Sequence, residues 1–383
     1  MRRDLINDFP FIEKVIYLNT ASIGLVPIPV LRAVKEFIEN LFIKGTTYLN
    51  EEIEENIYEE LRVKAAKLLG CETDEVAVFS SVSEALNSIA WALRGKGKIV
   101  TTDVEFPTVV YPWIRIAKDK GWKVVLVRSK NYLVDEADLL KVIDEDTLAI
   151  SISHVEYLSG QRFNIKELAR KAHDVGALLI VDGIQATGYI PVDVRKDDVD
   201  IYITGAYKWL IGPQGAAVAY IKREIYEELE PGLVSWRSVK NMWSLEVHER
   251  IEYADTAKKF EYSTSAYEAK LGMAKSIEYL LKLGIDNVFN YNMKLTKYLM
   301  NELLNLDKVR LITPIDDSKR GSIVTIRVDG LDPISIKKEL MKGDRIVELS
   351  IRRGLVRFSP HFYNDKEDMD EVVDRLRRII KGA

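Results

Sequence analysis

The chain has 383 residues, 47% of them hydrophobic and 30% charged, with a formal net charge of -4. That is enough chain for one large unit or for two domains sharing an interface. Basic and acidic residues are mixed without a long basic stripe, which speaks against nucleic-acid and polybasic membrane partners.

The only cysteine, Cys71, excludes an intramolecular disulfide and a cysteine-based metal cluster, and suits a reducing cytoplasm. His154, His173, His248 and His361 are scattered without ligand spacing, so no metal site is expected. The opening "MRRDLINDFPFIEKV" carries acids early and does not read as a secretory signal, and no apolar run reaches membrane-spanning length. Glutamine is scarce while Lys, Glu, Ile and Val are plentiful, a usage similar to that of thermophile proteins.

In chain order, "EEIEENIYEELRVKAAKLLG" has helical spacing from residue 51. Seven short apolar runs then follow, interleaved with amphipathic segments such as "NIKELARKAHDVG": "EVAVF", "GKIVTT", "KVVLV", "TLAISIS", "ALLIVD", "DIYITG" and "GAAVAYI". Several are apolar without alternation, as expected of strands covered on both faces, and the alternation with helices predicts a mostly parallel α/β sheet. Residues 223 to 262 read as irregular. A second α/β region from about residue 265 has long helices, the strands "SIVTIRV" and "LVRFS", and the terminal helix "KEDMDEVVDRLRRII".

Ligands of open α/β sheets sit beyond the carboxyl ends of the strands. "ALLIVDGIQATG" ends its strand in Asp182, and "DIYITGAYKW" leads from its strand into Lys208. Both belong at one sheet edge. A buried salt bridge is one reading, but burying two charges costs several kcal/mol per ion. A lysine among apolar residues has a lowered pKa and serves as an amine nucleophile toward an aldehyde. An adjacent aspartate suits a pyridinium nitrogen, the pairing used with pyridoxal phosphate (PLP). Ser81-Val82-Ser83 opens a helix after the strand ending at Phe79, a place for the phosphate, although Ser81 and Glu84 also spell a capping box.

From "YLNTASIGLVP" to "VRFSPHFYN" the order of segments resembles the class V aminotransferase family of PLP fold type I, which includes cysteine desulfurases, kynureninases and isopenicillin-N-epimerase-like enzymes. The most specific block is "ALLIVDGIQATGYIPVDVRKDDVDIYITGAYKWLIGPQG". The resemblance implies a large PLP-binding domain over 24–262, with a mostly parallel seven-stranded sheet flanked by helices. A smaller C-terminal α/β domain would cover 263–383 together with segment 1–23. It also implies that Lys208 bonds covalently to the cofactor aldehyde and moves the substrate α-proton, while Asp182 keeps the pyridine nitrogen protonated. Gln185 would donate to the ring phenolic oxygen, Val82 (by backbone) and Ser83 would hold the phosphate with Tyr207, and Phe106 would stack on the ring. Thr264 would reach the phosphate of a partner subunit, making the enzyme a homodimer with shared sites. Arg357 would grip the substrate carboxylate, and Asn19 would line the substrate mouth. Taken singly, Phe106 reads as core and His154 as structural; Tyr157 divides equally between cofactor contact and packing.

Desulfurases of this family carry a catalytic cysteine shortly before the substrate arginine. Here that stretch is "DRIVELSIRRGLVRFSP", without cysteine, so cysteine desulfurase activity is disfavoured. The expected function is a PLP enzyme acting at the α-carbon of an amino acid, nominally an aminotransferase. A C–S or C–C lyase or an epimerase is the alternative, and a non-catalytic PLP-fold regulator is the reading from another class. A nucleotide-binding dehydrogenase lacks its G-x-G-x-x-G.

Overall fold

A computed structural model describes residues 5–382. Its strands are β1 (Val15–Tyr17), β2 (Val76–Phe79), β3 (Lys98–Thr102), β4 (Lys123–Val127), β5 (Thr147–Ser153), β6 (Leu178–Asp182), β7 (Ile201–Gly205), β8 (Ala217–Ile221), β9 (Val309–Leu311), β10 (Val324–Val328), β11 (Ile346–Glu348), β12 (Ser350–Arg352) and β13 (Leu355–Phe358). Its helices are α1 (Ile28–Lys44), α2 (Glu51–Leu69), α3 (Val82–Ala92), α4 (Pro107–Lys120), α5 (Glu136–Lys141), α6 (Ile165–His173), α7 (Arg223–Glu228), α8 (Tyr267–Leu283), α9 (Ile285–Leu304), α10 (Pro333–Leu340) and α11 (Lys366–Lys381).

The seven apolar runs become one sheet of order β2-β8-β7-β6-β5-β3-β4. Strands β7, β6, β5, β3 and β4 run parallel, and β8 lies antiparallel between β2 and β7. The central strands lack period-two alternation because both faces are covered: every residue of β7 and β8 is buried. On one face Phe79, Ile99, Ile180 and Ile203 pack against Leu86 and Ile89 of α3 and Trp113 of α4. On the other, Val100, Ile150, Val181 and Tyr202 meet Leu168 and Ala172 of α6. Burying each such side chain is worth about 1.5–3 kcal/mol.

Helix α2 shows how locally the boundaries are set. Asn50 Oδ1 accepts from Ile53 N at 3.0 Å, Glu51, Glu52 and Glu54 occupy the first turn, and Gly70 closes the helix at φ 73°.

The C-terminal region holds an antiparallel sheet of order β12-β13-β10-β9. Its core joins Val324, Val356 and Phe358 to Leu299 of α9 and Val372 of α11. β1 pairs in parallel with β11, Ile16 opposite Val347. The N-terminal segment therefore starts in a separate two-stranded sheet with β11 and runs toward the large sheet. It passes the carboxyl ends of β6 and β7 on the way.

Candidate active site

Asp182 is the last residue of β6 and registers with Ile203 of the parallel strand β7, so it emerges at the same edge as the loop carrying Lys208. Both side chains are buried, 3% and 7% exposed. Burial pushes the Asp182 carboxyl up to about 6, opposed by the backbone bond from Ile184 N to Oδ1 (2.9 Å) and by the Lys208 charge. Burial pulls the Lys208 amine down to about 8; Asp182 opposes this, while Arg357 and Arg352 reinforce it. The salt-bridge reading is not what the fold adopts. Among the described residues neither an ion pair nor a hydrogen bond joins the two groups, and Lys208 Nζ instead lies 5.6 Å from the Phe106 ring centroid and 5.7 Å from that of Tyr207. The amine is therefore left without a direct carboxylate partner among the described residues.

The lysine loop is tightly specified. Ile211 N donates to Lys208 O at 3.0 Å and Gly212 N to Ala206 O at 2.9 Å. Ile211 holds φ 51°, a left-handed conformation costly for a β-branched residue and sustained here by complete burial. Gly24 N donates to Tyr207 O at 2.8 Å, and a Cβ at Gly24 would stand 2.1 Å from Lys208 O, so only glycine fits.

Next to this loop, α3 begins. Ser81 Oγ accepts from Glu84 N at 3.1 Å, so Ser81 is the cap. The Glu84 carboxylate accepts from Ser80 N at 2.7 Å. The backbone N–H groups of Val82 and Ser83 have no partner among the described residues, and Ser83 Oγ meets Thr108 Oγ1 at 2.9 Å. A Cβ on Gly205 would lie 3.3 Å from a Val82 methyl, so the helix start abuts the end of β7. Open N–H groups and a positive helix end can accept an anion.

The Phe106 ring is 45% exposed, which corrects its reading as core. It meets Tyr157 edge to face, centroids 5.3 Å apart. Gln185 Nε2 donates to Ala21 O at 3.0 Å, and its Oε1 accepts from Trp209 Nε1 at 2.8 Å; one amide hydrogen is left to donate. Arg357, 1% exposed on β13, donates to Ser350 Oγ (2.9 Å), Tyr157 O (2.5 Å) and Ser22 Oγ (2.9 Å). It has no carboxylate partner among the described residues, and burial then Arg352 pull its pKa down to about 9. A buried cation held only by neutral acceptors can take an anion as its partner.

Asn19, expected at the substrate mouth, is not brought into this cluster, and Thr264, expected at a partner subunit's phosphate, lies outside it. Asn19 Nδ2 donates to Glu348 Oε1 at 3.0 Å, tied back toward β11. Thr264 is exposed. His154 Nδ1 meets Tyr202 OH at 3.1 Å, burial pulls its pKa down to about 3, and it lines a separate cavity, consistent with a structural histidine. Sequence reasoning missed Ala21, Ser22 and Gly24, which thread the N-terminal segment through the site, and also Ser350 and Arg352. The run "TASIG" beside Asn19 was the available signal.

The model of the family described as Aminotransferase class-V matches residues 16–372. The chain belongs to the class V aminotransferase family. It is 29% identical to a probable cysteine desulfurase of Pyrococcus abyssi, covering 99% of this chain and 98% of that one. It is 28% identical to the uncharacterized aminotransferase YcbU of Bacillus subtilis, over 96% and 95%. The apo structure of the cysteine desulfurase from Thermococcus onnurineus NA1 matches with a TM-score of 0.88 at 26% identity, covering 100% of this chain and 98% of that chain. Such relatives do not support setting cysteine desulfurase aside on the missing loop cysteine.

As a class V enzyme the chain uses pyridoxal phosphate. Its residues fit that group: an unpaired buried amine for the aldehyde, a buried carboxylate with Oδ2 free of hydrogen bonds, open N–H groups for the phosphate, and an exposed aromatic face. Among the described residues no helix is long and apolar enough to cross a membrane.

Proposed function

We propose that this enzyme cleaves the C–S bond of a sulfur-containing α-amino acid by β-elimination. The observation that carries the amino-acid reading is Arg357, buried without a counter-anion and close enough to lower the Lys208 pKa. The sulfur assignment rests on the likeness to proteins named cysteine desulfurases.

Bound PLP withdraws electrons from the α-carbon. Arg357 holds the carboxylate. Lys208 Nζ takes the α-proton, the electron pair forms a Cα=Cβ bond, and the Cβ–S bond breaks with sulfur leaving as thiolate. Hydrolysis then yields a 2-keto acid and ammonia; for cysteine the products are pyruvate, ammonia and hydrogen sulfide. Val82, Ser83 and Tyr207 would hold the phosphate, Asp182 and Gln185 would hold the ring, and Phe106, backed by Tyr157, would cover it. Cys71 lies just before β2, at the sheet edge opposite Asp182, so no thiol of this chain faces the site.

Amino transfer is the second reading, favoured by likeness to the protein named as an aminotransferase. Residues 24–262 form the cofactor domain, and the rest a smaller domain that brings in Arg357. The enzyme works as a homodimer: exposed Thr264 and the exposed apolar Leu245, Val247 and Ile251 suit a second copy. The test is incubation with an amino-acid panel, following keto acid, ammonia, sulfide, alanine and α-deuterium exchange. Equimolar pyruvate, ammonia and sulfide from cysteine supports elimination. Keto acid formed only with an amino acceptor overturns it in favour of transfer, and alanine overturns it in favour of desulfuration.

A further inference from the structure

Two carboxyls lie beneath the aromatic wall. Glu105 and Glu156 are buried, 4% and 0% exposed, and within hydrogen-bond reach of each other. Glu105 accepts from Ser153 N at 2.7 Å and from Ser153 Oγ at 2.5 Å. Glu156 Oε1 accepts from Thr102 Oγ1 at 3.5 Å, while its Oε2 is buried with no protein donor. A bare carboxylate oxygen in that position, beside a second carboxylate, is a heavy cost. One proton on Glu156 donated to Glu105 removes it, since Glu105 already has two donors for its negative charge.

Each acid adjoins one member of the wall. Glu105 precedes Phe106, and Glu156 precedes Tyr157, whose ring meets Phe106 and whose carbonyl receives Arg357. We propose that Glu105 and Glu156 share a single proton and, as positioning residues, clamp the Phe106–Tyr157 wall and the guanidinium of Arg357 in register. Burial raises both acids above the ordinary range; Glu105 raises Glu156 further, the hydrogen bond with Glu156 lowers Glu105, and Asp182 at the end of β6 adds repulsion to both. The neighbouring His154 stays neutral and supplies no compensating charge. With rising pH the second proton leaves, two carboxylates repel, and the clamp loosens.

This deepens the reading of the site, but its test does not depend on which bond the enzyme breaks. The infrared spectrum of the holoenzyme at neutral pH should contain a protonated-carboxyl band that Glu156→Gln removes. Cofactor retention on dialysis should weaken at alkaline pH in the parent. It should stay flat in Glu156→Gln, whose amide donates to Glu105 at every pH. Where that variant does not fold, Glu105→Gln serves: only one carboxyl is left, so the alkaline loss disappears. No such band in the parent, or an unchanged alkaline loss in the variant that folds, overturns the pair.

Discussion

The hydroxyl oxygen of Ser22 accepts a hydrogen bond from Arg357 Nη2 at 2.9 Å, joining the N-terminal segment to a strand of the C-terminal sheet. Arg352 Nη2 reaches the same oxygen at 3.2 Å. The guanidinium is thus oriented entirely by neutral oxygens, and its charge has no counter-ion among the described residues. Arg357→Lys keeps the charge but loses the planar fork. Its KM for amino acids should rise roughly tenfold or more, the worth of one charge-assisted bond. Steady-state kinetics across a substrate panel checks this, and unchanged KM values would remove Arg357 from the binding site.

Lys208 makes the apoenzyme less stable than it would otherwise be. Its folded pKa, about 8, lies below the ordinary 10.5. Below pH 8 the folded state must hold a buried cation and the full penalty applies. The penalty fades as pH rises from about 8 toward 10.5, where the amine is neutral in both states. Lys208→Met should therefore stabilise the cofactor-free protein at pH 7 by about 1–3 kcal/mol, with the gap closing in the alkaline range. Denaturant unfolding of both proteins at two pH values measures it; a destabilised variant at pH 7 would show that the amine is well paired.

Cys71 should be silent. Burial, then Glu75, pushes its thiol up to about 12, so little thiolate exists at neutral pH. In the folded holoenzyme it should resist alkylation at pH 7. Cys71→Ser should change C–S cleavage less than about twofold, the range of a peripheral substitution. A persulfide trapped on Cys71 during turnover would restore a thiol-based desulfurase mechanism.

The proposed sharing of sites between two subunits predicts complementation. Lys208→Ala and Thr264→Ala subunits, each weak or inactive alone, should regain activity when unfolded and refolded together, because a mixed dimer holds one intact site. If the mixture is no more active than its parents, Thr264 does not reach a partner's phosphate.

Much of the large sheet was legible in the sequence. "KVVLV" and "TLAISIS" coincide with β4 and β5 at both ends, because short β-branched apolar runs between helices mark the strands of such a sheet. The short strands β1, β9, β11 and β12, of three residues each, were not. β1 and β11 are held by each other across most of the chain, β12 is one arm of a tight hairpin with β13, and at three residues none of the four carries enough pattern of its own. The same division holds at the site. Asp182 and Lys208 stand at strand ends, where a local rule finds them. Ser22 and the Glu105–Glu156 pair owe their places to long-range packing, and an isolated serine or glutamate carries no sign of it. Phe106 shows the converse: an apolar residue at a helix start looks like core until the fold leaves its face open beside the lysine.

The central claim is that Lys208 is the amine that binds the cofactor. A second buried lysine makes the test sharp: Lys270 is fully buried and its pKa is also pulled down to about 8, but its Nζ donates to Gly215 O at 2.9 Å. Borohydride reduction of the holoenzyme, followed by peptide mapping, should place the pyridoxyl group on the peptide containing Lys208 alone. A reduced adduct on Lys270, or on any lysine in Lys208→Ala, would contradict the account.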